Sequence, residues 1–325
     1  MDKYLLEEVI ACLPRERTRY YYFKDRYALM LLSNQVGEGM TVAELKKSRL
    51  NSLLQKPQVK KFLSAVSNGY VDATSLDSYW PDDYQPFVLT VGRWGGKDIS
   101  WQQTTRKGYN LVVQLNFSNA HDSLYRSLVK PARGAVLNYW GHPVFKPKSG
   151  KTFRETLAWA RLDIDFDTDE VLIEEIQSDW VREARDLLQD AQACCDKGEN
   201  FLDWINVQGK AENIVKYVKQ VLMPYLKIWD EAVLAATLSF VRNELGISRV
   251  YYHSYESGPE LKCINGSTPR YLYTALPKRF CFDKTGESPV FLQKDRRFKR
   301  MLRKISAPQW YRMDLREGNS NACIS

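Results

Sequence analysis

The stretch 169–180 constrains the fold more than any other part of the chain. Its apolar run at 171–173 is typical of a β-strand, and it leads directly into the carboxylate, amide and hydroxyl side chains of 174–179. A segment of helical character begins immediately afterwards. In α/β proteins, a strand that ends in polar groups just before a helix N-terminus is a common place for a ligand to bind.

The composition indicates a folded protein that favours anionic partners. The 325 residues are 44% hydrophobic and 13% aromatic, which excludes extensive disorder and suits one large domain or two ordinary ones. The formal net charge is +8, so we expect nucleic acid, a phosphate-bearing cofactor or an acidic protein as the kind of partner.

The cysteines and the N-terminus indicate a reduced cytoplasmic protein. None of the six cysteines belongs to a CxxC pair, and the first residues do not resemble a signal peptide. No apolar run approaches the roughly 20 residues that span a bilayer, so we expect no membrane contact.

Hydrophobic periodicity divides the chain into four expected regions: a small helical N-terminal region at 1–70, a partly β middle region at 71–150, an α/β domain at 151–305 and a tail at 306–325. In the first region, 20–32 is expected to be helical. In the second, 87–91 and 109–117 are expected to be strands.

Within 151–305 the pattern predicts alternating strands and helices. The expected strands are 157–166, 171–176, 247–252 and 288–292, of which the first two form a hairpin. The expected helices are 180–193, 224–245 and 269–280.

Several segments of this region resemble a known domain when they are taken together. They are Thr-Phe-Arg-Glu at 152–155, Thr-Leu-Ala-Trp-Ala-Arg-Leu at 156–162, EEIQSDW at 174–180, and the segments 229–234, 246–250 and 272–278. In this order they resemble a domain of the very large polyvalent proteins of phages and prophages. The resemblance implies a phage- or defence-related role and brings no settled activity with it.

The order strand, helix, strand, helix, strand in 171–292 is also similar to the core of the GNAT acetyltransferases. This similarity implies a mixed sheet with flanking helices, in which one strand splays from its neighbour. It further implies acyl-CoA as cofactor, with its pyrophosphate at the start of the next helix, and a tyrosine general acid matching Tyr273. The implied cofactor-binding residues are Gln177, Ser178, Asp179, Trp180 and Arg182.

Three further side chains are candidate catalytic groups. In a regular strand Glu174 and Glu175 point to opposite faces, so one is expected to face a cleft as a general base while the other pairs with a cation such as Arg182 or Arg161. His253 follows a predicted strand at its C-terminal end, where it acts as a base or a ligand, or is an ordinary loop histidine.

Three functions fit these patterns. The first is transfer of an acyl-type group, with Glu175 as base and Tyr273 as acid, to an acceptor such as a nucleic acid. The second is a non-enzymatic module that binds nucleic acid or a host protein, because 294–304 carries seven Lys or Arg among eleven residues. The third is a metal-dependent nuclease built on Asp169 and Glu175, although His121 and His142 lack metal-ligand spacing and no resident metal site is expected.

Overall fold

The structure is a computed structural model. It describes residues 1–13, 18–96, 102–132, 136–146, 154–202, 204, 206–264 and 268–316.

In the described part of the chain, ten strands form one large sheet and one small one. The strands are β1 (Thr18–Tyr22), β2 (Met40–Thr41), β3 (Tyr70–Val71), β4 (Gln85–Gly96), β5 (Gly108–Phe117), β6 (Thr156–Asp165), β7 (Glu170–Gln177), β8 (Arg249–His253), β9 (Asp283–Thr285) and β10 (Trp310–Asp314). The large sheet has the order β1-β4-β5-β6-β7-β8-β10-β9, and β2 pairs with β3. In the large sheet β7 and β8 are parallel, whereas the other neighbours are antiparallel.

The α-helices flank this sheet. They are α1 (Lys3–Cys12), α2 (Arg26–Val36), α3 (Val42–Lys47), α4 (Pro57–Ala65), α5 (Ala73–Ser78), α6 (Asn119–Leu128), α7 (Asp179–Asp196), α8 (Ala211–Lys216), α9 (Met223–Leu226), α10 (Trp229–Asn243), α11 (Gly258–Lys262), α12 (Ala275–Arg279) and α13 (Arg296–Leu302). A π-helical segment, Tyr217–Leu222, joins α8 to α9, and short 3-10 helices occupy Asn51–Gln55, Arg270–Tyr273 and Val290–Lys294.

The turn between β6 and β7 is built from side chains that suit it. Thr168 donates its backbone N–H to Asp165 Oδ1 at 3.1 Å, and Asp169 adopts a left-handed φ of 54°, which Asp tolerates better than most residues. The Asp169 carboxylate then accepts the backbone N–H of Ser248, just before β8, at 3.1 Å. This single turn therefore fixes the hairpin and aligns the parallel partner beside it.

The two faces of the sheet bury different cores. Val171 and Ile173 belong to the main hydrophobic core, together with residues of α10. Leu172 and Tyr251 belong to a second core that includes Phe291. Since successive residues of a strand point to opposite faces, α10 covers one side of β7 and β8, while α11, α13 and the segment 102–106 lie on the other side.

The predicted fold class is confirmed at the level of an α/β protein with a large mixed sheet and flanking helices. The hairpin of 157–166 and 171–176, the strands at 87–91 and 109–117 and the helix after 180 are also present. Among the described residues, no helix combines the length and the apolar character that crossing a bilayer requires.

Two local predictions were wrong. The segment 20–32 begins as a strand, because Tyr20 to Tyr22 pair with β4, and the helix starts only at Arg26. Tyrosine favours strands, and the apolar spacing of the segment did not reveal this. The expected strand 288–292 is instead a 3-10 turn, whose Val290 and Phe291 N–H groups bind Glu170 Oε2 at 2.7 and 3.4 Å.

The expected regional boundaries do not divide the sheet. Strands β4 and β5 of the middle region continue into β6 across residue 150, and β1 extends the same sheet from the N-terminal region. The expected tail contains β10, which lies between β8 and β9. Pairing between distant segments is not visible in local periodicity, so the sequence pattern could not reveal this continuity.

Candidate functional site

A β-bulge brings both glutamates of the strand end to one side. Arg161 of β6 lies opposite Glu175, but the next residue, Leu162, lies opposite Ile173, so Glu174 is an extra residue in β7. Thr105, which binds Glu174, belongs to the segment 102–106, and Arg161, which binds Glu175, donates to main-chain oxygens of the same segment. The expectation that the two glutamates face opposite sides was therefore wrong, since it assumed a regular strand.

Glu174 is the centre of a buried polar network. Its Oε2 accepts hydrogen bonds from Thr105 Oγ1 at 2.8 Å and His253 Nε2 at 3.1 Å, and its Oε1 accepts the Thr105 N–H at 3.0 Å. Glu174 and His253 have no solvent exposure. Burial raises the pKa of Glu174, but the hydrogen bond from His253 and the positive charge of Lys262 outweigh burial and lower it to about 2. The buried group is therefore a carboxylate.

His253 is a neutral imidazole in this network. Burial lowers its pKa despite the adjacent Glu174 carboxylate. Because a carboxylate only accepts, Nε2 carries the hydrogen and Nδ1 carries the lone pair. Nδ1 is buried and has no hydrogen-bond partner among the described residues. An unsatisfied buried acceptor is rare, and it commonly marks a functional group.

Lys262 joins Glu174 to Tyr273. Its Nζ donates to the main-chain oxygen of Glu174 at 2.7 Å and to the Tyr273 hydroxyl at 3.3 Å, and the lysine is fully buried. Burial lowers the pKa of Lys262 to about 8, although the charge of Glu175 opposes the change. Burial and the Glu175 charge both raise the pKa of Tyr273, so its hydroxyl remains protonated.

The lysine fills a gap beyond the paired part of two parallel strands. The parallel register of β7 and β8 runs from Glu170 with Arg249 to Ile173 with Tyr252 and stops there. β7 continues to Gln177, so the main-chain oxygen of Glu174 is the first group beyond the paired region. We call this gap, with the side chains that fill it, the strand split.

Glu175 forms the outer part of the strand split. It accepts a hydrogen bond from Arg161 Nε at 2.8 Å, and the Glu175 side chain is 13% exposed. Arg161 is buried and also donates to the main-chain oxygens of Gln102 and Gln103 at 2.8 and 3.1 Å. Glu175 is thus paired with a cation, as one of the two glutamates was expected to be, and it is also the carboxylate of the pair that meets solvent.

The predicted cofactor residues form the start of α7. Ser178 is the N-cap and accepts the Val181 N–H at 3.1 Å. Asp179 is fully buried and accepts hydrogen bonds from Gln177 Nε2 at 3.3 Å and Arg182 at 3.2 Å.

Two further residues complete this helix start. Trp180 lies in the core and donates to the hydroxyl of Tyr217 at 3.0 Å. His142 Nδ1 lies 2.9 Å from Asp179 Oδ2, so the Asp179 carboxylate anchors the segment 136–146 to the first turn of α7.

The structure brings the four candidate catalytic side chains together, and three of the partners at the site were not predicted from the sequence. Glu174, Glu175, His253 and Tyr273 meet at the strand split. These three partners are Thr105, Lys262 and His142. None carries a motif, because each is brought to the site by a loop or a short helix distant in sequence. The local sequence gives one indication for Lys262: the turn-forming residues Ser257, Gly258 and Pro259 precede it and indicate that the chain reverses direction there.

The basic segment 294–304 lies against the same site. Its Arg297 donates to the main-chain oxygen of Thr105 at 2.9 Å, and Phe298 is buried. Six other cations of the segment are exposed and make no ion pair with a described carboxylate: Lys294, Arg296, Lys299, Arg300, Arg303 and Lys304. The segment therefore offers unpaired positive charge next to the strand split.

The arrangement does not support a nuclease metal centre. Asp169 immediately precedes β7, and Glu175 lies near its C-terminal end. At the usual rise per residue of a strand, their Cα atoms are roughly 20 Å apart. In the part of the chain that the structure describes, no three His, Cys, Asp or Glu side chains are arranged to hold a metal ion.

Comparison with known proteins adds no relative to this description. The chain matches no protein-family model, and no curated protein or solved structure matches it significantly.

Proposed function

We propose that the protein transfers an acyl-type group at the strand split, on a GNAT-like fold. The proposal is supported by a parallel strand pair whose pairing stops after Ile173, and by the long helix that directly follows β7, because the resemblance to the GNAT core implies both features. The observation that carries it is the convergence of Glu174, Glu175, His253 and Tyr273 on one buried position, joined by Lys262.

In the proposed reaction, Glu175 and Tyr273 exchange protons with the reactants. An acceptor hydroxyl or amine attacks the acyl carbonyl and loses its proton to the Glu175 carboxylate. The bond from the carbonyl carbon to the leaving group breaks, and the Tyr273 hydroxyl supplies a proton to that leaving group. Lys262, whose Nζ is 3.3 Å from the Tyr273 oxygen, then returns a proton to it.

Acyl-CoA does not fit the start of α7. GNAT proteins carry the pattern Q/R-x-x-G-x-G/A there, and this chain has neither glycine. The buried Asp179 carboxylate lies at the helix start, and Ser178 already binds the Val181 N–H. A negative charge in this position repels a pyrophosphate, so no step of the reaction depends on CoA.

A nucleic acid is the proposed partner, held by the segment 294–304. Its six exposed cations lie next to the strand split and favour the phosphate backbone of a nucleic acid. That nucleic acid would carry either the acyl donor or the acceptor group.

A truncated thioester tests the proposal. Acetyl-N-acetylcysteamine carries the acyl group without phosphates, and thiol release is measured with an RNA oligonucleotide or a lysine-containing peptide as acceptor. We expect turnover that acetyl-CoA does not exceed, and a decrease of about 100-fold in Glu175→Gln and in Tyr273→Phe. Tyr271→Phe is the matched control, because Tyr271 lies in the same 3-10 helix but is exposed. Unchanged turnover in Glu175→Gln would contradict the proposal.

The second candidate is a non-enzymatic module that binds nucleic acid or a host protein. The closed state of the strand split favours it, because Glu174, His253 and Lys262 are fully buried and Tyr273 is 2% exposed. Oligonucleotide binding that weakens steeply with salt, without consumption of any thioester, would support this candidate over the enzyme.

A further inference from the structure

A cavity lies apart from the strand split and shares no residue with it. Its volume is about 510 Å³, and it opens between α2, α5 and the C-terminal end of α10. This volume is within the range that accommodates small molecules in proteins. Its walls include Tyr20 of β1 and Tyr79, so the cavity combines aromatic surface with polar groups.

Arg26 is the most informative side chain of this cavity. Its guanidinium carbon lies 3.8 Å from the ring centroid of Trp80 and 5.8 Å from that of Phe23, which holds the planar group in one orientation. The Arg26 guanidinium makes no ion pair or hydrogen bond with another described residue. Burial lowers its pKa even though Tyr20, Tyr22 and Asp77 oppose the change. Its five N–H donors are thus positioned and unused.

The other groups of the wall are mainly donors. Arg242 provides a second guanidinium, Asn34 and Asn243 provide amides, and Ser33 and Ser239 provide hydroxyls. Asp77 is the one carboxylate among the described lining residues. Two guanidiniums against one carboxylate leave a net positive wall. The number of donors suits an anion with several oxygens more than a single carboxylate.

We propose that this cavity binds a small molecule through a phosphate group, with Arg26 as the bidentate donor and Arg242 as the second cation. The flat faces of Tyr20 and Tyr79 would contact the remainder of the ligand. The site is separate from the strand split, since no residue that lines it belongs to the strand split.

Calorimetric titration with inorganic phosphate and with phenyl phosphate tests this site. We expect both to bind the wild-type protein, with phenyl phosphate binding more tightly because its ring contacts the tyrosines. Arg26→Met retains the side-chain length without the charge, and we expect it to weaken binding at least about tenfold, since hydrogen bonds to charged groups contribute that much. Arg242→Ala should weaken binding by a smaller factor. Arg185→Met, at an exposed arginine of α7, is the control and should leave the affinity unchanged.

Three results would overturn the proposal: no binding of phosphate by the wild type, equal affinity in Arg26→Met and wild type, or tighter binding of citrate than of phenyl phosphate. Because Arg26 also packs on Trp80, the melting temperature of each variant is measured first. If Arg26→Met does not fold, phosphate binding is measured with Arg26→Lys instead. This variant retains the charge without the bidentate geometry, so it should still bind more weakly than the wild type. Thioester turnover does not enter this experiment, so its outcome is independent of the reaction proposed for the strand split.

Discussion

Replacement of Lys262 by Met should change the pH dependence of folding stability. The lysine is fully buried, and burial lowers its pKa from 10.5 to about 8. Each tenfold change in a protonation equilibrium corresponds to about 1.4 kcal/mol, so this change corresponds to roughly 3 kcal/mol. The folded protein bears this cost whenever Lys262 is protonated in both the folded and unfolded states.

The direction follows from proton binding. Between about pH 8 and about pH 10.5 the unfolded chain holds a proton on Lys262 that the folded protein has lost, so the free energy of unfolding rises with pH. Below about pH 8 the cost is fully present, and above about pH 10.5 it has disappeared. The difference in unfolding free energy, wild type minus Lys262→Met, should therefore increase by about 2.5 kcal/mol between about pH 7 and about pH 10.

The sign of the difference should also change. At neutral pH Lys262→Met loses two hydrogen bonds, to Glu174 and Tyr273, of about 1 kcal/mol each, but it is relieved of a larger burial cost. We expect the Met variant to be at least as stable as the wild type at neutral pH, and less stable at about pH 10.

Urea unfolding across this pH range measures the difference directly. Lys278→Met is the control, because Lys278 is exposed and its amine contacts water in both states. A difference between wild type and Lys262→Met that stays constant with pH would refute the burial argument. It would also remove Lys262 as a proton carrier for Tyr273.

Three other perturbations have defined outcomes. Trp180→Ala removes a fully buried indole and should lower the free energy of unfolding by about 3–5 kcal/mol in urea denaturation; a loss below about 1 kcal/mol would contradict its place in the core. Burial, reinforced by the charge of Asp122, raises the pKa of Glu155 to about 7, so its contribution to stability is present below about pH 4.5 and is lost as the pH rises through about 7. The melting temperature of wild type relative to Glu155→Gln should therefore fall between those values, and a pH-independent difference would refute this. Lys299→Ala should weaken oligonucleotide binding and reduce its salt dependence by about 0.7–0.9 in log–log slope, whereas an unchanged slope would exclude the segment 294–304 as the contact.

The sequence predicted the local features of this protein and missed the long-range ones. The run 171–176, its hairpin partner and the helix after Ser178 are encoded by apolar periodicity, a tolerant turn at Asp169 and a capping hydroxyl, all within a few residues. The clustering of polar groups at the strand end predicted a site beside Glu174 and Glu175, and the structure places both carboxylates in polar networks there.

The rest depended on contacts that no local pattern encodes. The bulge at Glu174 follows from how β6 aligns with β7. Thr105 reaches the Glu174 carboxylate, and Lys262 reaches the Glu174 main-chain oxygen, from segments 69 and 88 residues away. Asp179 was predicted to contact a cofactor from its position alone, and the sequence did not indicate that its carboxylate binds His142 and Arg182. A motif therefore located the site, but only the three-dimensional arrangement indicated which partners each group has.

A crystal structure of the protein with the ketone analogue of the truncated thioester, in which a methylene replaces the sulfur, would test the strand split most directly. Our account predicts that the ketone lies beyond Ile173 between the C-terminal ends of β7 and β8, with its oxygen within hydrogen-bonding reach of the Tyr273 hydroxyl and Glu175 beside it. An analogue bound elsewhere, with Lys262 still closed over the main-chain oxygen of Glu174, would contradict the account.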